Sequence, residues 1–84
     1  MKVYVLRSEK DGRYYVGMTS DLRKRLIAHN TGRTKSTKGY RPWRLLHLEE
    51  YPDREIARKR EKYLKSGYGK QWLKSKYSDN HKLE

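Results

Sequence analysis

The chain has 84 residues, with 22 Lys and Arg against 10 Asp and Glu, a formal net charge of +12, two Trp, eight Tyr, no Phe and no Cys. That length predicts one small domain burying only roughly 60–65% of its unfolded surface, and the lack of Cys excludes a disulfide framework and a thiolate zinc site. The charge points to a polyanionic partner: nucleic acid first, ribosomal RNA or an acidic membrane surface behind it, and solvated helix faces as the plain alternative.

Val3-Tyr4-Val5-Leu6 and Tyr14-Tyr15-Val16-Gly17-Met18 read as two strands joined at Asp11-Gly12, a strong hairpin signal. A type I′ turn centred on that pair predicts a register in which Ser8 faces Tyr15, Leu6 faces Gly17 and Tyr4 faces Thr19. Alternation then sets Tyr4, Leu6, Ser8, Tyr15, Gly17 and Thr19 on one face, so two phenols share a side. Gly17 weakens a strand unless space is needed there, for a substrate, a neighbouring side chain or a local bulge.

Thr19-Ser20-Asp21 offers an N-cap, Leu22, Leu26 and Ile27 recur at helical spacing, and Gly32 suits the residue after a helix end, which predicts a helix over about 20–31. Arg25 and His29, four apart, stack on one face of it. They are either a solvated pair or two groups pointing together into a cleft beside the core stripe. Residues 32–41 carry Arg33, Lys35, Lys38 and Arg41 among Thr, Ser and Gly, which makes a polar basic loop without a core residue other than Tyr40. It is either a disordered connector or a loop that contacts phosphate.

Trp43 to Tyr51, opened by Pro42, predicts the third strand. Trp43, Leu45 and His47 point one way and Arg44, Leu46 and Leu48 the other, so this strand is expected to be central and covered on both sides. Pro52-Asp53 opens a second helix with Ile56, Ala57, Tyr63 and Leu64 as its apolar stripe and Gly67 as its stop. Glu61 sits on the margin of that stripe. In so cationic a chain it makes an ion pair, or it holds Mg²⁺ or Mn²⁺, which need only one or two carboxylates plus water and phosphate. Arg60 has no evident role. Gly69 precedes a short third helix docked by Trp72, Leu73 and Tyr77.

The order β-β-α-β-α-α predicts an α+β fold, a three-stranded antiparallel sheet with flanking helices. Residues 1–77 are expected to form a single domain and 78–84 a polar tail, where Leu83-Glu84 matches the start of a tag linker left by a cloning vector. No apolar run is long enough to span a bilayer and no signal-peptide pattern opens the chain, so a cytoplasmic protein is expected.

A phosphodiester hydrolase needs a polarised water, a proton acceptor, cations for the pentacovalent charge and a stabilised leaving oxygen. Tyr, Arg, His and a carboxylate-bound metal can fill those roles. A free phenol, with a pKa of about 10, is a poor base at neutral pH. Arg25 and a divalent ion are expected to lower it.

These pieces together resemble the GIY-YIG nuclease superfamily, and most of all its small stand-alone bacterial members, related to the N-terminal nuclease domain of the excision-repair protein UvrC. The first half-motif matches Val3-Tyr4-Val5-Leu6, with Lys2 where the eponymous Gly would stand, and the second matches Tyr15-Val16-Gly17, with Val for Ile. The family's Arg and His match Arg25 and His29, and its later Glu matches Glu61 in Ala57-Arg58-Lys59-Arg60-Glu61. The resemblance runs from residue 2 to about residue 75. The late Asn of many members has no counterpart, Asn80 lying in the polar tail.

The resemblance implies a GIY-YIG fold and a divalent-metal-dependent endonuclease working on one strand at a time, on DNA ahead of RNA, in repair or recombination. It implies that Tyr4 orients or deprotonates the attacking water and that Tyr15 supports the water or the phosphate. Arg25 would stabilise the transition-state charge, His29 would assist proton transfer, and Glu61 would ligate Mg²⁺ or Mn²⁺ at the leaving 3′ oxygen. Target choice would fall to a partner protein, to DNA structure or to the basic loop. The competing readings are a non-catalytic nucleic-acid-binding module on a nuclease scaffold, an RNA-directed nuclease, and a ribosome- or RNA-associated protein.

Overall fold

A computed structural model describes residues 1–77; the expected polar tail at 78–84, with Asn80 and Leu83-Glu84, lies outside the described residues. In chain order come β1 (Lys2–Ser8), β2 (Tyr14–Thr19), α1 (Leu22–Asn30), a 3₁₀ turn (Lys38–Tyr40), β3 (Trp43–Glu50), α2 (Arg54–Lys65) and α3 (Gly67–Tyr77). The sheet is antiparallel, in the order β2-β1-β3. This is the α+β architecture that the element order predicts. Among the described residues no helix is long and apolar enough to cross a membrane.

The central strand is β1, not β3. Val3 and Val5 pack with Val16 against Ala57 and Leu64 of α2 and Leu73 of α3, while Tyr4 and Leu6 pack with Trp43 against Leu22 and Leu26 of α1. The sheet therefore lies between α1 on one side and the α2–α3 pair on the other. β3 is an edge, with Leu45 and Leu48 exposed. Its pairing with β1 shifts between Leu6–Leu45 and Val5–His47, which leaves Leu46 as an extra residue. Such a bulge changes the phase of alternation. Trp43 and Leu45 stay on the Tyr4 face, whereas His47 pairs with Val5 and sits on the other. The apolar residues in both alternation classes record this phase change rather than double coverage.

The hairpin register also differs from the expected one: Leu6 pairs with Tyr15 and Tyr4 with Gly17. The turn is longer than two residues. Ser8 N–H donates to the Arg13 carbonyl at 2.9 Å and Gly12 N–H to the Ser8 carbonyl at 2.9 Å. Ser8 Oγ accepts from the Lys10 and Asp11 amides, and the Asp11 carboxylate accepts from Arg13. Gly12, at φ +80°, takes the left-handed position this turn requires. The slip is an even number of residues, so every side chain keeps its face.

α1 begins at Leu22, capped by Asp21, whose carboxylate accepts from Lys24 N–H. Asp53 caps α2 in the same way through Ile56 N–H. Ala57 and Leu64 are the buried positions of α2, while Ile56 and Tyr63, expected in the stripe, are exposed, as is Ile27 of α1. Arg60 has a structural role. It reaches Glu49 of β3 with two bonds of 2.9 and 3.0 Å, and Glu49 also accepts from Tyr51 at 2.6 Å and meets His47 Nε2 at 2.7 Å. His47 Nδ1 meets the Tyr77 hydroxyl at 2.6 Å, so one carboxylate joins β3, α2 and, through His47, α3. Gly69 does not precede α3 but lies inside it, where a Cβ would fall 2.0 Å from the Tyr63 carbonyl oxygen. It is the point where the two helices touch backbone to backbone.

Candidate active site

Tyr4 projects from the middle of the central strand over its cross-strand neighbour Gly17. A Cβ on Gly17 would lie 2.5 Å from the phenol oxygen and 2.7 Å from Cζ, so the missing side chain is the volume that the Tyr4 ring fills. The Tyr4 hydroxyl lies 2.9 Å from His29 Nε2 and accepts from Arg25 Nε at 3.4 Å. The Tyr15 ring stands 4.9 Å from the His29 ring and 6.4 Å from the Tyr4 ring, centroid to centroid. The Arg25 guanidinium interacts with the Tyr15 phenol as well, and its bond to Tyr4 holds its own pKa above the ordinary value. Tyr4, Tyr15, Arg25 and His29 are thus brought together on the α1 side of the sheet.

Arg25 acts on the Tyr4 pKa in the expected, lowering direction, but burial outweighs it. Burial raises it above its ordinary 10, the Arg25 hydrogen bond opposes this and loses, and the charges of Tyr15 and Glu61 add to the rise. Desolvation wins because Tyr4 is only 1% exposed. His29 moves the other way: burial, helped by the positive charge of Arg25, lowers its pKa to about 4. The imidazole is therefore neutral at pH 7, with one nitrogen free to accept a proton.

The second nitrogen meets a residue that sequence reasoning missed. His29 Nδ1 lies 2.8 Å from Thr37 Oγ1, and Thr37 is fully buried within the basic loop. Its carbonyl accepts from the Trp43 indole at 2.9 Å, and Asn30 brackets the Trp43 backbone through both amide atoms. The Tyr40 carbonyl accepts from Ser8 Oγ, and Arg13 stacks 3.6 Å above the Tyr40 ring. The loop is hence stapled to the sheet at several points. Nothing local distinguishes Thr37 from Thr34 or Ser36.

Glu61 approaches from α2. Its side chain is 13% exposed, with oxygens 3.0 Å from Lys65 Nζ and 3.7 Å from Arg58 Nε. Its charge is felt at Tyr4. Among the described residues no group of three or more His, Asp or Glu could cage a metal. A single, partly open carboxylate fits a hard ion whose remaining positions are filled by water and substrate phosphate.

Arg33, Lys35, Lys38 and Arg41 are all exposed. Arg33 lines a groove of about 490 Å³ with Lys24, Arg25 and Asp21, which extends the site along α1. Arg41 is partly occupied in the loop itself, donating to the Lys38 carbonyl at 2.8 Å. A second basic cleft, lined by Arg7, Arg13, Tyr14 and Lys70, opens at the turn end of the hairpin.

Comparison with known proteins agrees with this picture. The family model described as the GIY-YIG catalytic domain matches residues 1–78. The chain is 39% identical over 64 residues to a UPF0213 protein of Streptococcus pneumoniae, covering 75% of this chain and 64% of that one. It is 41% identical over 64 residues to a UPF0213 protein of Clostridium perfringens, covering 75% and 68%. The chain thus spans less than two thirds of the length of the S. pneumoniae relative. A solution NMR structure of a UPF0213 protein from Bacillus halodurans is 32% identical and superimposes with a TM-score of 0.56, over 95% of this chain and 87% of that one.

Proposed function

The chain belongs to the GIY-YIG catalytic domain family, hence to a nuclease superfamily, and from that premise we propose that it is a divalent-metal-dependent endonuclease hydrolysing a nucleic-acid phosphodiester, DNA ahead of RNA. The observation that carries this reading is the clustering of two phenols, a guanidinium and a neutral imidazole beside a basic groove.

In the proposed reaction a water held at Tyr4 attacks phosphorus in line, and the bond from phosphorus to the 3′ oxygen breaks. The 3′ oxygen takes a proton from solvent as it leaves, and the products are a 5′-phosphate and a 3′-hydroxyl. The water's proton passes to the Tyr4–His29 pair, because neutral His29 can receive what a buried phenol of raised pKa cannot give to solvent. Arg25 offsets the charge of the pentacovalent state, and Tyr15 steadies the water or the phosphate. Glu61 would hold Mg²⁺ or Mn²⁺, which when bound supplies stabilisation of the leaving 3′ oxygen. Arg33, Lys35, Lys38 and Arg41 would contact flanking phosphates. A cytoplasmic role in DNA repair or recombination is what the sequence's resemblance to excision-nuclease domains implies, and a partner protein would direct the enzyme to its target.

The test is cleavage of single-stranded, flap and branched DNA and of matched RNA, with and without Mn²⁺, by the parent and by Glu61→Ala. Metal-dependent cutting of DNA that Glu61→Ala abolishes, with binding largely kept, supports the reading. Equal cutting by Glu61→Ala in Mg²⁺ removes Glu61 as the ligand. Salt-sensitive binding without any metal-dependent product makes the protein a binding module, and faster cutting of RNA changes the substrate.

A further inference from the structure

We propose that Thr37 is a positioning residue that receives the Nδ1–H of His29 and so holds the ring with its bare Nε2 toward the Tyr4 hydroxyl. This rests on the site reading above and names a residue that no part of that reading uses.

The directions of the hydrogen bonds follow from one donor. A guanidinium can only donate, so the Tyr4 oxygen accepts from Arg25. The hydrogen-bonding neighbours of the Tyr4 hydroxyl are Arg25 and His29. Its own proton must therefore point at His29 Nε2, 2.9 Å away, and that nitrogen carries no hydrogen. A neutral imidazole bears its one proton on the other nitrogen, so Nδ1–H donates to Thr37 Oγ1 at 2.8 Å. The threonine hydroxyl in turn donates to the Thr34 carbonyl at 3.3 Å. Every donor in this chain has an acceptor. In the opposite arrangement Nε2–H would donate to a Tyr4 oxygen already receiving from Arg25, and the buried phenol proton would lose its acceptor. A buried polar group left without its bond is disfavoured, so the first arrangement prevails.

Thr37 is well placed for this task. It is the fully buried residue of a loop that otherwise lies at or near the surface, and its backbone is held independently of its side chain by the Trp43 indole. In a step that moves a proton from water through Tyr4, the phenol oxygen gains the water's proton and passes its own to His29 Nε2. The product is an imidazolium whose Nδ1–H still rests on Thr37 while Tyr4 ends neutral. The charged and titratable groups facing His29 are Arg25 and Tyr15, with Tyr4 between them.

The experiment is ¹⁵N NMR of the His29 ring in the full chain labelled at histidine, for the parent, Thr37→Val and Thr37→Ser, beside single-turnover cleavage of DNA in Mn²⁺. The parent and Thr37→Ser are expected to show the Nδ1–H tautomer. The isosteric valine keeps the backbone staple but removes the acceptor, and is expected to leave Nδ1–H unpaired, which moves its resonance toward that of a free N–H and lets the ring turn away from the Tyr4 hydroxyl. Its rate is expected to fall about 10–100-fold with substrate affinity unchanged, and serine to restore it within about threefold. An Nε2–H tautomer in the parent overturns the proposal, as does a valine variant with the parental Nδ1–H resonance and rate. Should the valine variant fail to fold, the parental and serine spectra still decide the tautomer. If the parent cuts nothing while the Nδ1–H resonance follows residue 37, the nuclease reading fails and the assignment of Thr37 stands.

Discussion

Gly17 and Tyr4 occupy one volume between them. Gly17→Ala is expected to push the phenol off His29, cost about 1–3 kcal/mol of stability and reduce cleavage at least tenfold; urea melts and cleavage rates check it. Two ionisable residues make the fold acid-labile in separate windows. His29 takes a proton below pH 6.5 when unfolded but only below about 4 when folded. The unfolded chain is protonated first, and stability falls as pH drops from 6.5 toward 4. For Glu49, burial would raise the pKa, but bonds from Arg60, Tyr51 and His47 outweigh it and bring it from 4.5 to about 2. Its contribution of about 3 kcal/mol is present above pH 4.5 and lost as pH falls through 2. Urea midpoints at several pH values should show both windows, and Glu49→Gln should remove only the lower. At this scale Tyr4, Tyr15, Arg25 and His29 were legible because strand alternation and four-residue helical spacing are local rules. Thr37 was not, since its contact with His29 is made by the path of a loop.

The hairpin illustrates how an element can be misread without moving the site. Asp11-Gly12 pointed to a two-residue turn, yet Ser8 gathers the Lys10 and Asp11 amides on its hydroxyl and lengthens the turn. The register slips by an even step, and Tyr4 and Tyr15 keep their common face. β3 was misplaced for a different reason: no periodicity argument distinguishes a bulge at Leu46 from a strand covered twice. In the sequence Gly69 marks the approach to a helix, whereas in the fold its role lies in the contact of α3 with the Tyr63 carbonyl. Gly69→Ala is expected to force α2 and α3 apart and to cost about 3 kcal/mol, at the upper end for overpacking. Asp53→Ala, which only uncaps α2, should cost about 1 kcal/mol. Thermal melts of the two variants test that ranking.

Over the whole molecule the net charge of +12 dominates. Binding should weaken with salt at a slope of about −0.9 per neutralised phosphate on duplex DNA and −0.7 on single strands, and charge-removing changes at Arg33 and Lys35 should each flatten it. Fluorescence anisotropy across a salt series reads this directly. The class of fold was legible from element order alone, because two strands joined by a short turn and a third reached through a helix leave few ways to cover both faces of a sheet. The assignment of sides was not, because it depends on which strand lies in the middle.

That middle strand has a further effect. Backbone amides exchange with heavy water only when their surroundings open, and the slowest report the opening of the entire molecule. Val3, Tyr4, Val5 and Leu6 are buried and paired on both edges, so their amides should be the last to pick up deuterium, well behind those of β3. The phenol proposed to handle the water is therefore fastened to the last segment to come loose, and partial fraying elsewhere leaves it in register.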